Sequence, residues 1–332
     1  MLVRLGALFA SLLGTVEEIG GQVKALARAG RLPLAVVVAT LVIAGGALAA
    51  TGALTPQGCI ADAGSAIGCA TTQQGLDGAE GVAVSPDGNS VYVASELDNA
   101  IVRFDRNTTT RALTPQGCIA DPPDAAGCAT TQQGLDAPFD VAVSADGKSV
   151  YVASALDDAI VRFDRNTTSG ALSPQGCVAD AGSAIGCATT QQGLDGAAGV
   201  AVSGDGQSAY AASNLDDAIV RFDRNTTSGA LGGQGCIADA GSAIGCATTQ
   251  QGLDAATGVA VSADDGSVYV ASFFDAAIVR FDREVFVAPP PPSVTTPPTA
   301  TGQRAAALKK CKKKRSAKAR RKCRKRANLL PA

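Results

Sequence analysis

The chain has 332 residues with no histidine and no tryptophan, and its 28 basic residues nearly balance 30 acidic ones. Without imidazole, no Ser-His-Asp triad, no Cys-His pair and no histidine-ligated zinc site can be built. The net charge of −2 hides three segments: residues 1–50 hold four basic and two acidic residues, 51–284 hold ten and 28, and 285–332 hold fourteen and none. An acidic body of net −18 is thus joined to a cationic tail, an asymmetry that speaks to partners rather than to fold.

Residues 1–31 place Leu5, Leu8, Phe9, Leu12, Val16, Ile19, Val23 and Leu26 at helical spacing and read as an amphipathic cytosolic segment. Residues 32–50, LPLAVVVATLVIAGGALAA, predict an N-terminal apolar helix. It is long enough to be a transmembrane anchor, and Lys24, Arg28 and Arg31 before it keep the N-terminus inside. The competing reading is the h-region of a signal peptide, cleaved after Ala47-Leu48-Ala49. Either way the body is exported, and the expected location is the extracytoplasmic side of the cell envelope, anchored or secreted.

Residues 51–288 repeat with a period of 59, marked by Cys59, Cys118, Cys177 and Cys236 and by Cys69, Cys128, Cys187 and Cys246. Such a period implies a solenoid, a propeller or an array. Each unit (54–112, 113–171, 172–230 and 231–288) reads as four antiparallel strands. In the first, GVAVSPDGNSVYVAS is strand, turn, strand; DNAIVRFDR is a third strand; and Ala112–Gln116 begins a short fourth. The expected fold is all-β, a propeller of four four-stranded blades. The chain enters the first repeat at a fourth strand, Ala53–Gln57, and leaves the last after a third, Ile278–Asp282. The N-terminal strand is therefore expected to finish the last blade and close a four-bladed ring. An open half-ring that dimerises into eight blades is the alternative, and Glu284–Ala288 is a third candidate for the missing edge.

GVAVSPDGNSVYVAS followed by DNAIVRFDR resembles the YVTN-type β-propeller repeat, also found in lactonase-like propellers, over residues 54–284. The unit is longer than a usual blade because of its cysteine loop, and four copies stand where the family commonly has about seven blades. The resemblance implies the propeller fold but names no activity, because the fold hosts many.

In an exported protein, Cys-x9-Cys within one repeat reads as a local disulfide. The expected pairs are Cys59–Cys69, Cys118–Cys128, Cys177–Cys187 and Cys236–Cys246.

Two sets of variable positions fall on one expected face of the ring. Glu80, Phe139, Ala198 and Thr257 adjoin the innermost strands, and Glu96, Ala155, Asn214 and Phe273 lie in the loops joining second and third strands. They are the expected ligand-binding face for an unknown ligand. The same face carries Asp77, Asp136, Asp195 and Asp254, with Asp98, Asp157, Asp216 and Asp275 in the loops. No catalytic residue and no cofactor is assigned; the first four carboxylates are candidate Ca²⁺ ligands, against a reading as turn caps. The strand-three arginines Arg103, Arg162, Arg221 and Arg280 are expected to pair with aspartates between blades.

Residues 289–303 are a Pro/Thr-rich linker and 304–332 a Lys/Arg-rich tail. Cys311 and Cys323 would lie about 18 Å apart on one straight helix, too far to bond. Their pairing requires a helical hairpin turning near Ser316. On an exported protein the tail's expected partner is an anionic envelope polymer or lipid, and nucleic acid is not favoured. The primary functional reading is a non-catalytic binding or scaffolding module at the envelope. The alternative implied by the resemblance is a lactonase-like hydrolase with a carboxylate- or metal-based site on the propeller face.

Overall fold

The computed structural model describes residue 52 and residues 54–65, 67–123, 127–183, 185–242, 244–284 and 303–330. The amphipathic segment, the apolar helix of 32–50 and most of the linker lie outside the described residues. Within them no helix is long and apolar enough to cross a membrane. The chain divides into two units, Met1–Gly58 and Cys59–Ala332, and every strand and helix given below lies in the second.

A parallel pair, β1 (Ile60–Asp62) and β2 (Thr71–Gln73), precedes four antiparallel sheets. The first sheet runs β3 (Ala79–Val84), β4 (Ser90–Ser95), β5 (Ala100–Arg106), β6 (Leu113–Ala120), with the two-residue β7 (Thr130–Thr131) added parallel to β6. The second contains β8 (Pro138–Val143), β9 (Ser149–Ser154), β10 (Ala159–Arg165), β11 (Leu172–Ala179) and β12 (Thr189–Thr190). The third contains β13 (Ala197–Val202), β14 (Ser208–Ser213), β15 (Ala218–Arg224), β16 (Leu231–Ala238) and β17 (Thr248–Thr249). The fourth has three strands, β18 (Ala256–Val261), β19 (Ser267–Ser272) and β20 (Ala277–Asp282). This is an all-β, propeller-like array. The fourth strands run past the expected Gln116 and carry Cys118, Cys177 and Cys236.

Local chemistry explains the strands. Tyr and Val alternate with Ala along SVYVAS, and β-branched and aromatic side chains suit a pleated, half-buried surface. The turn before it is held by Ser85 Oγ on Asp87 Oδ1 at 2.5 Å and by Gly88 N on Ser85 O at 2.8 Å. Gly88 has φ +71°, a conformation open to glycine without penalty. The innermost strands approach each other so closely that a Cβ on Gly81 would meet Phe139 O at 2.6 Å.

The core lies between sheets. Between the second and third, Tyr151, Ala153, Ile160 and Val178 pack on Leu194, Val200, Ala211, Val220 and Phe222. The same pattern recurs at the junctions on either side. A polar clasp joins each junction at the turn face. Arg224 donates from Nε to Tyr151 Oη at 2.8 Å, from Nη1 to Gly206 O at 3.0 Å, and from Nη2 to Asp146 and Ser149 Oγ. Tyr151 in turn donates to Gly229 O at 2.6 Å. Arg165 does the same to Tyr92, Asp87 and Ser90, and Arg283 to Tyr210, Asp205 and Ser208.

Two expectations are corrected here. The strand-three arginines do not bridge blades by ion pairs. Arg103, Arg162, Arg221 and Arg280 pair with Asp105, Asp164, Asp223 and Asp282 of their own strands. The cause is the strand period: residues i and i+2 share a face. The bridging arginine lies three residues further on. Nor is the array a closed four-bladed ring finished by the N-terminal strand. Residues 54–57 of that expected strand form no strand, and β1, which follows them, pairs with β2 and not with β20. Val82 on the first sheet is 65% exposed where its counterpart Val141 is 4%, and Ile278 on the last is 74% exposed where Ile160 is 1%. Three like junctions in series thus leave Val82 and Ile278 exposed at the two ends.

All four expected repeat disulfides form, with Cα–Cα distances of 5.1–5.3 Å. Cys311–Cys323 also forms, at 5.4 Å. It joins α1 (Gln303–Lys312) to α2 (Ala317–Ala327) in the hairpin that the spacing required. Ser316 caps α2 by accepting from Ala319 N.

Two stability predictions follow from this architecture. Arg224→Ala removes a guanidinium that is 1% exposed and is expected to lower the stability to urea by about 3 kcal/mol; Arg224→Lys, lacking the planar fork, recovers only part. Replacing Cys177 and Cys187 together by Ser opens a loop of sequence separation 10 and is expected to cost up to about 3 kcal/mol in the same measurement.

Candidate functional site

The loop that joins the second and third strands of each sheet and the crossover between sheets lie at the end opposite the clasps. Each loop places one residue in the left-handed region: Asn99 at φ 49°, Asp158 at 51°, Asp217 at 52° and Ala276 at 48°. Asn and Asp tolerate that conformation better than other side chains. Here the conformation turns the side chain towards the next sheet. Asn99 Oδ1 accepts from Ala137 N at 2.9 Å, Asp158 Oδ1 from Gly196 N at 3.0 Å, and Asp217 Oδ1 from Ala255 N at 2.9 Å.

The expected face carboxylates work mainly on the backbone. Asp98, Asp157, Asp216 and Asp275 accept from the amides of Asp77, Asp136, Asp195 and Asp254 at 2.9–3.2 Å. Asp121, Asp180 and Asp239 each accept two amides at the start of the following sheet. Asp77, Asp136, Asp195 and Asp254 thus sit beside the loop carboxylates. Among the described residues no three Cys, Asp or Glu side chains gather as a metal would need.

The variable positions divide by burial. Glu80, Thr257 and Phe273 are exposed, Phe139, Glu96 and Asn214 half-buried, and Ala198 and Ala155 buried. Phe273 and Phe274 make an edge-on pair at 5.3 Å on the last sheet.

The junction of the second and third sheets differs from the others. On the innermost strand β8, Asp140 occupies a place that is glycine in the other three repeats: Gly81, Gly199 and Gly258. Its Oδ2 accepts from Val200 N at 3.0 Å and its Oδ1 from Val141 N at 2.8 Å. Burial raises its proton affinity above that of an ordinary carboxyl, against the pull of those two amides. Asp158 bonds Gly196 across the same junction. Burial and the neighbouring Asp195 carboxylate push Asp158 up to about 6, against the lowering effect of the Gly196 amide. The two anchors are four residues apart on one chain, at most about 13 Å. Two carboxyls that hold protons more tightly than an ordinary carboxylate therefore reach across one junction. Asp158 was passed over in the sequence because it is nearly repeated. Asp140 carried a legible signal, being a lone carboxylate in a glycine column.

The comparisons with known proteins bear on this same region. Residues 70–184 match the family described as Lactonase, 7-bladed beta-propeller. That stretch, which holds the first two sheets, is similar to lactonase propellers. No curated protein matches the chain. A putative 6-phosphogluconolactonase from Bacteroides uniformis is similar at 17% identity and TM-score 0.46, over 62% of this chain and 50% of that one. The periplasmic gluconolactonase PpgL of Pseudomonas aeruginosa is similar at 19% identity and TM-score 0.44, again over 62% and 50%. Hydrazine synthase of Kuenenia stuttgartiensis is similar at 17% identity and TM-score 0.42, over 67% and 49%. The chain spans about half the length of these proteins.

The shifted carboxyls give the array's stability its pH dependence. Burial raises Asp87, but bonds from Ser85, Asn89 and Arg165 outweigh it and hold the carboxyl down to about 2. A lowered carboxyl stabilises the fold above its unfolded value of 3.8, and that contribution is lost as pH falls towards 2. Asp158 is raised, so its contribution is full below 3.8 and lost as pH rises to about 6. Urea midpoints of Asp158→Asn are therefore expected to gain on the unaltered protein between pH 4 and 6. Those of Asp87→Asn are expected to flatten below pH 4.

Proposed function

We propose that the chain is a lactonase-like hydrolase in which Asp158 and Asp140, at the junction of the second and third sheets, handle the protons. The observation that carries this reading is the pair of carboxyls with raised proton affinity at one junction, inside the segment that matches the lactonase family. Asp158, mostly ionised at pH 7 yet more basic than an ordinary carboxylate, accepts a proton from water. The hydroxide adds to the lactone carbonyl carbon. The ring C–O bond then breaks, and the proton returns to the alkoxide, leaving a hydroxy acid. The product's new carboxylate is repelled by a body of net −18, which favours its release.

The remainder of the proposal concerns location. Five disulfides persist in an oxidising compartment, which supports a body held outside the cytoplasm. Residues 32–50 would contact the membrane, and the basic hairpin of α1 and α2 an anionic polymer or lipid surface. A second reading, a non-catalytic binding module, is supported by the exposed Phe273–Phe274 pair, which offers a stacking surface.

Opening of a panel of γ- and δ-lactones, followed by acid release, tests the hydrolase. Activity is expected to rise through pH about 6. Asp158→Asn and Asp140→Gly are each expected to cost about a hundredfold. Both variants should fold, because Asn99 and Gly81 already stand at the equivalent positions. Turnover of no lactone by the unaltered chain would leave the binding module standing. Full activity in both variants would move the chemistry elsewhere.

A further inference from the structure

The two open ends of the array are the unmatched halves of one interface that the chain forms three times internally. At each internal junction, an arginine from the following sheet clasps a tyrosine, an aspartate and a serine of the preceding one. The first sheet keeps the arginine: Arg106 donates to Gly88 O of its own turn, as Arg165 does to Gly147 O, and among the described residues it has no ion pair. The last sheet keeps the other half. Tyr269 is 37% exposed where Tyr151 is 0%, and Asp264 and Ser267 stand beside it, with no arginine on Asp264 among the described residues. Apolar halves match as well: Val82 and Val84 lie open at one end, Ile278 and Tyr269 at the other.

A missing strand points the same way. Residues 54–62, LTPQGCIAD, are identical to residues 113–121, which form β6 and its exit. In the first sheet β6 pairs with β5, Ile119 opposite Ile101. Among the described residues the earlier copy has no third strand beside it. Its Ile60 instead packs on Val91, Val102 and Phe104 of the first sheet, as Ile119 packs on the second. Conversely β20 has a third strand's sequence, AIVRFD, and among the described residues no fourth strand pairs with it. Within one open array the spare fourth strand and the strand that lacks one are at opposite ends.

We infer that a second copy of this chain occupies each open end, so that two copies form a closed ring of eight sheets through two identical head-to-tail joints. At each joint, β1 and the first sheet of one copy seat on the last sheet of the other. Ile60 then lies opposite Ile278, and Arg106 clasps Tyr269 and Asp264. Such heterologous contacts make closed rings when the rotation closes, and closure also removes the exposed sheet edge. The joint is weaker than an internal junction for two reasons. Arg111 replaces the glycine found at Gly170 and Gly229, where a Cβ would press on a serine hydroxyl, and Ala276 lacks the side chain by which Asp158 reaches the next sheet.

Native mass spectrometry of the full-length chain, purified in mild detergent, is the test. The expected species has twice the chain mass. Ile278→Asp, at a side chain already exposed in the single chain, is expected to give monomer with an unchanged circular dichroism spectrum. Arg106→Asp is expected to do the same, and Arg106→Asp combined with Asp264→Arg to restore the dimer. A monomer at every concentration, a species larger than two copies, or a dimer indifferent to Ile278→Asp would each overturn the inference.

Discussion

Everything in the array depends on one arginine per junction. The apolar layers between sheets are built largely of Val and Ala, with one Phe, one Tyr, one Leu and one or two Ile at each junction. Such layers are thin, and non-directional packing alone would let the sheets slide. A guanidinium has five donors in a rigid fork and loses heavily on burial unless they are used. Arg224 spends them on a phenol, a carbonyl, a carboxylate and a hydroxyl from two sheets. Those bonds hold only at one spacing and one angle. Because the same clasp recurs as Arg165 and Arg283, the same turn recurs at each junction. The curvature of the whole array follows from a polar contact rather than from the hydrophobic core.

This explains what could be read from the amino-acid sequence and what could not. The disulfides were legible because they are local: ten residues separate each repeat pair, and the distance constraint acts within one loop. The tail hairpin was legible for the opposite reason, since twelve residues on a straight helix keep Cys311 and Cys323 apart. The four-strand pattern was legible from alternation alone. The clasp was not, because Tyr151 and Arg224 are 73 positions apart, more than one full repeat. Nothing within a single repeat distinguishes Arg162, which pairs along its own strand, from Arg165, which crosses the junction. Without the clasp the turn per junction is unknown, and a period of 59 residues fits a closed ring as well as an open one.

The candidate site was legible only in part. Choosing positions by variation among repeats found Glu80, Thr257 and Phe273 on the surface, but it also chose Ala198 and Ala155, which are buried against neighbouring strands. Variation at a buried position marks packing rather than recognition. The repeated aspartates pointed to one end of the array, yet their main partners are amides. A chain rich in tight turns and poor in other polar groups must satisfy its amides with side chains. What distinguishes one junction is the exception at Asp140 and the crowding of Asp158 against Asp195.

Near-identical repeats produce rings of equal groups, and chemistry on one substrate needs unequal ones. In this chain inequality arises by single replacements in otherwise fixed columns. Asp140 breaks a column of glycines at an inner strand, and Asn99 and Ala276 break a column of aspartates at the loops. Each exception has a physical consequence that its repeated counterparts lack. Asp140 adds a half-buried carboxyl. Asn99 keeps the amide bond without the charge. Ala276 keeps the left-handed backbone, at φ 48°, without any side chain to reward it. The last loses no bond to another sheet, because among the described residues no further sheet follows β20. The first two change a junction that the chain itself completes. The repeats thus supply a scaffold whose geometry is set by the clasps, and function is free to enter at positions the clasps do not touch.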